Sequence, residues 1–441
     1  MSSNPTLAIA EYVHDISYGD LPQQAIANAK LAILDTIGVM FAGAQHQVGR
    51  IIVDYVRASG AAGVATIIGQ SLQTSPELAA LANGILAHAL DYDDHGHAST
   101  QSLPAALALG ETRGVSGREL LLAYLVGREV CLHLTEHFDS GGWEGPGPKG
   151  RGWHSVGIVG SIGATAAAAK ILGLGPQVTC IAFGVAASLA GGAFANRGTM
   201  TKPLHAGNAA RNGVLAATLA SKGFTADTTT FTSVGGFTAV FDLPEEWVIA
   251  AVKSLQSHFH IVKHGIGVKR YPSCSPTHRY VEAMRQLRSK YELAPEAVES
   301  ITCTPSKSLR CLYPRTDLEC KFSAAFSLAA TLIDGEVNLS NCSESFLRRN
   351  DVQELLAKTV YTEKAPEAGG FVRVKTKKGQ VYEQPLLPPR DLTGYEEIQS
   401  KFYGCAVPVI GESRSRQIEA LVSDLEKLGS VGILAEPLRL S

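Results

Sequence analysis

Fourteen residues from Val156 to Ala169, VGIVGSIGATAAAA, carry no charge and no side chain larger than isoleucine. A helix that is apolar all round must be covered on every face, so this stretch predicts a helix in a protein interior. A second run, Cys180 to Ala195, is also rich in Gly, Ala and Ser. Both runs fall short of the roughly 20 residues that span a bilayer. They read as buried helices whose small side chains let neighbouring backbones approach closely.

At 441 residues with 18% charged side chains, the chain is long enough for two domains with a substantial core. A net charge of −2 provides no global field for nucleic acid or an anionic membrane, so neither is expected as a partner. The eight cysteines show no C-x-x-C pair or zinc spacing and read as reduced thiols. The first residues, MSSNPTLAIAEYVHDI, have the periodicity of a helix and no export-signal pattern. A cytoplasmic location is the expectation.

Ser75-Pro76-Glu77 supplies an N-cap, a proline for the first helical position and an acid for the first turn. The helix it opens should run out near Asp91. Glycine signals at Gly173 and Gly223 end two further helices, and the stretch after Lys202-Pro203 reads as a buried helix from about Ala206. The texture changes near residue 266. Val298 to Thr304 suits a strand, and Phe371 to Lys375 with Val381-Tyr382 suits a hairpin, while Ser413 to Leu428 is helical again. The expected fold is mainly α: an all-helical domain from 1–265 plus 400–441, with a smaller α+β lid domain inserted at 266–399.

The chemistry concentrates in a few places. LDYDDHGHAST, Leu90 to Thr100, holds Asp91, Asp93, Asp94, His95 and His97 at a helix end. On a helix, Asp91 would face His95 and Asp93 would face His97, and a carboxylate-oriented imidazole is a usable acid or base near neutral pH. The spacing matches neither a calcium loop nor H-E-x-x-H, so no metal is expected. Asp93 and Asp94 are expected to satisfy loop amides or neighbouring lysines. GWHSVG places His154 just before the uncharged helix, whose uncapped N-terminus suits a carboxylate. Thirteen basic or imidazole side chains lie between Lys202 and Arg279, Lys202 and Lys269 among them in Pro- and Gly-flanked loops. An anionic small molecule is the natural partner for such a set. No Walker loop, dinucleotide fingerprint or G-x-S-x-G elbow is present.

Together LDYDDHGHAST, GWHSVG, TKPLHAGNAARNG, KRYPSCSPTH and SLAATLIDG resemble the MmgE/PrpD family, whose reactions include dehydration of 2-methylcitrate, decarboxylation of cis-aconitate and epimerisation of iminodisuccinate. The resemblance implies a homodimer with an active site between the domains, a small di- or tricarboxylate substrate, and no metal or organic cofactor. It places Asp91, His154, Lys202 and Lys269 at the catalytic site, with His95, His97, Gln101 and Tyr271 as substrate-binding candidates.

The chain departs from the family's dehydratase and decarboxylase pattern at two places. His95 and Gln101 stand where a threonine and a second histidine are usual, and Phe326, counted back from the shared LIDG, stands where the decarboxylase has a tyrosine. Dehydration needs an acid for the departing hydroxyl, and decarboxylation needs a donor to quench a carbanion. Epimerisation needs only proton removal on one face and return on the other. The sequence therefore favours an iminodisuccinate-type epimerase, with a dehydratase-like or decarboxylase-like lyase as the alternative. A non-enzymatic helical binding protein is the remaining reading.

Overall fold

The computed structural model describes residues 4–138, 148–306, 309, 311–362, 369–388 and 390–440. Helix makes up 63% of the chain and strand 7%, so the fold is mainly α. The helices used below are α1 (Gln23–Gln45), α2 (Pro76–His88), α3 (Ser99–Arg113), α4 (Gly117–Phe138), α5 (Ser155–Leu172) and α6 (Thr201–Ser221). They continue with α7 (His260–Lys263), α8 (Ser275–Tyr291), α9 (Ala324–Asp334) and α10 (Tyr395–Ser423).

The uncharged run forms the body of α5, and every residue from Val156 to Ala169 is buried. It packs against α3, α4 and α6. The approach is close enough to require missing side chains: a Cβ on Gly163 would lie 2.5 Å from that of Cys131 on α4. Likewise, a Cβ on Gly84 of α2 would lie 2.7 Å from the Cα of Gly207 on α6. Helices α1 and α5 are long and apolar enough to cross a membrane, but 72% and 78% of their most apolar windows are buried inside the fold. Contact with other helices accounts for their composition.

Two helix boundaries differ from the sequence reading. The second apolar run is helical only to Leu189, after which Gly191 and Gly192 turn the chain so that the His154 amide donates to the Gly192 carbonyl at 3.0 Å. A Cβ on Gly157 would strike the Gly191 carbonyl at 2.1 Å, so this loop lies directly on the start of α5. Helix α6 begins at Thr201, not near Ala206, which puts Lys202 in its first turn. Pro203 is tolerated there because the first four amides of a helix have no intrahelical acceptor.

The strands β1 (Val298–Cys303), β2 (Thr359–Tyr361), β3 (Phe371–Thr376) and β4 (Val381–Pro385) form one sheet in the order β2-β1-β3-β4. Strand β1 runs parallel to β2 and antiparallel to β3, with Ile301 opposite Thr359 and Val374. Val372 and Val374 point inward to a core shared with α8 and α9, while Arg373 and Lys375 point outward. Beyond the sheet, α10 returns to lie along α1, where Gly38 accommodates Phe402. Lys401 on α10 pairs with buried Asp35 on α1 at 2.7 Å.

Candidate active site

Helix α2 ends at His88, and the next residues place three aspartates near its negative end, where anions are disfavoured. Three buried lysines offset this. Lys321 donates to the Ala89 carbonyl at 2.9 Å, Lys269 to the Asp91 carbonyl at 2.9 Å, and Lys401 to the Tyr92 carbonyl at 2.5 Å. All three come from the chain beyond residue 265, so they also tie the acidic loop to the second half of the protein. Lys321 and Lys401 carried no signal in the sequence, since nothing local marks them as partners of residues more than 200 positions away.

The carboxylate of Asp91 lies between Lys269 Nζ at 2.5 Å and Lys202 Nζ at 3.1 Å. Burial works against its ionisation, but the two ammonium groups outweigh burial and hold Asp91 well below the usual carboxylate range. Burial likewise opposes the charge on Lys269, and Asp91 and Asp93 more than restore it. Asp91 pairs with lysines and not with His95. His95 instead contacts Asp391 at 2.7 Å and Ser275 at 2.9 Å, bridging the acidic loop to later segments.

Asp93 pairs with His97, as their four-residue spacing suggested, lies 3.9 Å from Lys269, and organises a second imidazole besides. Its Oδ1 accepts from His88 Nδ1 at 3.0 Å and its Oδ2 from His97 Nδ1 at 2.5 Å. That fixes the tautomer of His88, whose Nε2 lone pair faces Lys202 Nζ at 2.9 Å. Lys202, His88 and Asp93 thus form a continuous hydrogen-bonded line. Asp94 stays structural, accepting from the Ser99 hydroxyl at 2.8 Å beside Arg128 at 3.4 Å.

His154 sits at the N-cap of α5 with its Nδ1 2.9 Å from His205 Nδ1, so one ring of this pair donates and the other accepts. Burial first, then Lys202 and the neighbouring imidazoles, push His154 well below the ordinary histidine range. Burial, with His88 and Lys202, brings His205 down to about 4. His97 is brought to about 3, burial and Lys269 outweighing Asp93. In His88, burial and Lys202 also favour the neutral ring.

His97, His154 and Lys202 of this cluster border a cavity of about 180 Å³ between the two halves of the chain. His97, His154, Lys202, Lys149 and Arg197 line it from the helical body, and Cys274, Ser275, Pro276 and Phe322 close it from the other side. Three helix N-termini, those of α5, α6 and α8, contribute cavity-lining residues. The positive ends of these helices, together with three cationic side chains, make a receptor for carboxylates. Burial and nearby Asp91 push the Cys274 thiol up to about 11, so it remains protonated.

The sequence candidates divide accordingly. His97, His154 and Lys202 line the cavity, while Asp91 and Lys269 lie behind it as a buried counter-ion pair. Lys269 therefore positions Asp91 and does not itself border the cavity. Tyr271 faces away: its hydroxyl donates to Glu282 at 2.6 Å and accepts from Arg285 at 2.8 Å. Gln101 is enclosed where α3 meets α5, with its carboxamide donating to Thr100 at 2.8 Å. Phe326 lies in the core around α9 beside Phe346, whereas Trp153, Phe194 and Phe322 line the cavity, the last with its ring 5.5 Å from Lys202 Nζ. His88, His205 and Phe322 were not singled out, although His205 lies in the quoted TKPLHAG motif and His88 lies three residues before Asp91.

Among the described residues, donor atoms of His88, Asp91, Asp93 and His97 lie within 4.8 Å of one another, which is ligand-like spacing for a cation. Lys269 and Lys202 already supply two positive charges at this point, and Lys202 covers the free nitrogen of His88. A divalent ion would have to displace both ammonium groups, so the residues do not fit a metal.

The sequence profile of the MmgE/PrpD N-terminal domain matches residues 7–250, and that of the MmgE/PrpD C-terminal domain matches residues 271–427. Cis-aconitate decarboxylase from Homo sapiens is 31% identical over 81% of this chain and 76% of its own length. The Mus musculus enzyme of the same name is 29% identical over 92% of this chain and 83% of its own. The Aspergillus terreus enzyme is 28% identical over 98% of this chain and 96% of its own. These matches run through both the helical body and the sheet-bearing segment, and the chain belongs to the MmgE/PrpD family.

Proposed function

We propose that this chain is a lyase that acts on a small di- or tricarboxylate by proton chemistry at the carbon next to a carboxylate, without a bound metal or organic cofactor. The observation that carries this reading is the meeting of Lys149, Arg197, Lys202 and helix N-termini on one cavity that two imidazoles also border. The likeness to cis-aconitate decarboxylases supports a lyase and points to decarboxylation as the reaction to try first. The two departures that favoured epimerisation lose their force, because His95, Gln101 and Phe326 do not line the cavity. A missing hydroxyl or imidazole at those positions removes no proton donor from the substrate.

In this reading Lys202 and Arg197 hold the carboxylates. For a substrate of the cis-aconitate type, the bond from the methylene carbon to its carboxylate breaks, carbon dioxide leaves, and the electron pair shifts through the adjacent double bond toward the carboxylate at its far end. His154 then delivers a proton to the carbon that bears this far carboxylate. The bound polyanion raises the proton affinity of His154, and His205 holds the ring in one orientation. Lys202 communicates through His88 with Asp93, which keeps that ammonium aligned.

Epimerisation of an iminodisuccinate-type substrate is the second reading, favoured by one feature: His97 and His154 border the same cavity, each with its own partner, Asp93 and His205. The test is to incubate the protein separately with cis-aconitate, 2-methylcitrate and iminodisuccinate stereoisomers in deuterated water and follow each by NMR. Loss of carbon dioxide or water supports the lyase. Deuterium exchange with inversion and no loss of either supports the epimerase and overturns the lyase.

A further inference from the structure

A second group of ionisable side chains, outside the cavity lining, lies where α4 meets the segment leading to Lys269. Glu129, His133 and Glu136 recur at i, i+4 and i+7 on α4, so they share one face. Opposite them is α7, whose N-terminus is capped by Glu129: the carboxylate accepts from the amides of His260 at 2.5 Å and Ile261 at 3.0 Å. The His264 amide donates to the His260 carbonyl at 2.9 Å, which closes one helical turn and brings the two rings to 4.5 Å between centroids. Donor atoms of Glu136, His260 and His264 all lie within 4.8 Å of one another. Moreover, His260 Nδ1 is buried without a hydrogen-bond partner.

A buried imidazole nitrogen with no partner is costly unless something outside the chain completes it. Two histidines one turn apart plus a carboxylate from a second helix is a set that zinc accepts, with solvent as the fourth ligand. A tetrahedral site brings donors to roughly 3.3 Å apart, and Glu136 and His264 are both exposed and able to rotate into place. No such displacement of an ammonium group is needed here, in contrast to the cluster around Asp91.

We propose that Glu136, His260 and His264 form a binding site for a divalent transition metal of the zinc class, which clips α7 to the last turn of α4. The chain runs from this clip through Ile266, whose carbonyl accepts from Arg128 at 3.2 Å, to Lys269. Metal at this position would hold the segment that delivers Lys269 to Asp91.

The test is calorimetric titration of the chelator-stripped full chain with zinc chloride, alongside His264→Ala and Glu136→Gln, with circular dichroism to confirm that each variant is folded. The expected result is one equivalent bound by the original chain, affinity weakened at least about tenfold in each variant, and a zinc-dependent rise in Tm that His264→Ala loses. No zinc uptake by the original chain overturns the proposal. So does affinity unchanged from the original chain in either variant, which would place the metal elsewhere.

Discussion

Asp91 and His97 have positive φ, 52° and 60°, a region that few non-glycine residues occupy. Between them Asp93 accepts from both His88 and His97, so the loop is bent to present one carboxylate to two rings and another to two lysines. Strain of this kind persists only where surrounding contacts over-determine it. Removing one side of a buried ion cluster leaves the other uncompensated. Asp91→Ala should therefore cost about 3–5 kcal/mol of stability, read by urea denaturation at neutral pH, because it strands Lys202 and Lys269. His154→Ala should lower kcat about 10²- to 10⁴-fold with the fold intact. His205→Phe, which keeps a ring but removes the partner of His154 Nδ1, should lower kcat and move its pH profile while KM changes little; an unmoved profile would show that His205 only fills space. Of these contacts, the pairing of Asp93 with His97 was legible from local spacing, whereas Asp91, His154 and Lys202 stood out by the motifs they sit in while their partners lie 51 or more positions away. The placement of Tyr271 was not legible: it follows Lys269 by two positions, but its side chain turns into the core around α9, and adjacency in sequence says nothing about that direction.

At the scale of elements, α6 carries both Lys202 and His205, and its place is set by glycine contacts. A Cβ on Gly207 would lie 2.2 Å from the Leu81 carbonyl of α2, so Gly207→Val must push the two helices apart. The expected cost is about 1–3 kcal/mol or more from overpacking, seen as a lower urea midpoint. Turnover should fall further than stability explains, since Lys202 would shift from Asp91 and His88. Helix starts marked by side-chain chemistry were readable: Ser75 caps α2 and accepts from the Leu78 amide. The start of α6 was not, because Met200 stands at its N-cap and makes no side-chain hydrogen bond. The end of the second apolar run was hidden for a related reason. Its glycines continue the composition of the helix while changing the backbone, and only the contact with α5 shows why.

Across the whole molecule, the fold brings two lysines, two aspartates and four imidazoles to one place from both halves of the chain. Lys202 and Lys269 balance Asp91 and Asp93, and burial leaves His88, His97, His154 and His205 neutral. The class of the fold was readable from apolar helices and one hairpin, but this charge balance was not, since it depends on Lys269 meeting a loop 178 residues earlier. The balance has a definite sign with pH. A histidine whose folded pKa lies below its ordinary 6.5 is neutral in the native state and takes a proton more readily when unfolded. Its contribution is fully present above about pH 6.5 and is lost as pH falls toward about 4 for His205 and about 3 for His97. Tm should decline across that window, and the decline should be shallower in His205→Phe.

A bound dicarboxylate reverses the sign. Two or more negative charges entering a neutral cluster raise the proton affinity of every nearby imidazole, so binding should draw protons from solution. Calorimetry with malonate near pH 6.5, in two buffers of different ionisation enthalpy, should give apparent heats that differ by about one proton's worth of buffer ionisation. Affinity should also rise as pH is lowered from about 8 to about 6, for as long as the fold holds. Equal heats in the two buffers would mean that the ammonium and guanidinium groups alone neutralise the ligand. His154 would then remain neutral in the complex, and protonation of the carbanion would have to come from another group on the cavity wall, with Cys274 the first to test by Cys274→Ser.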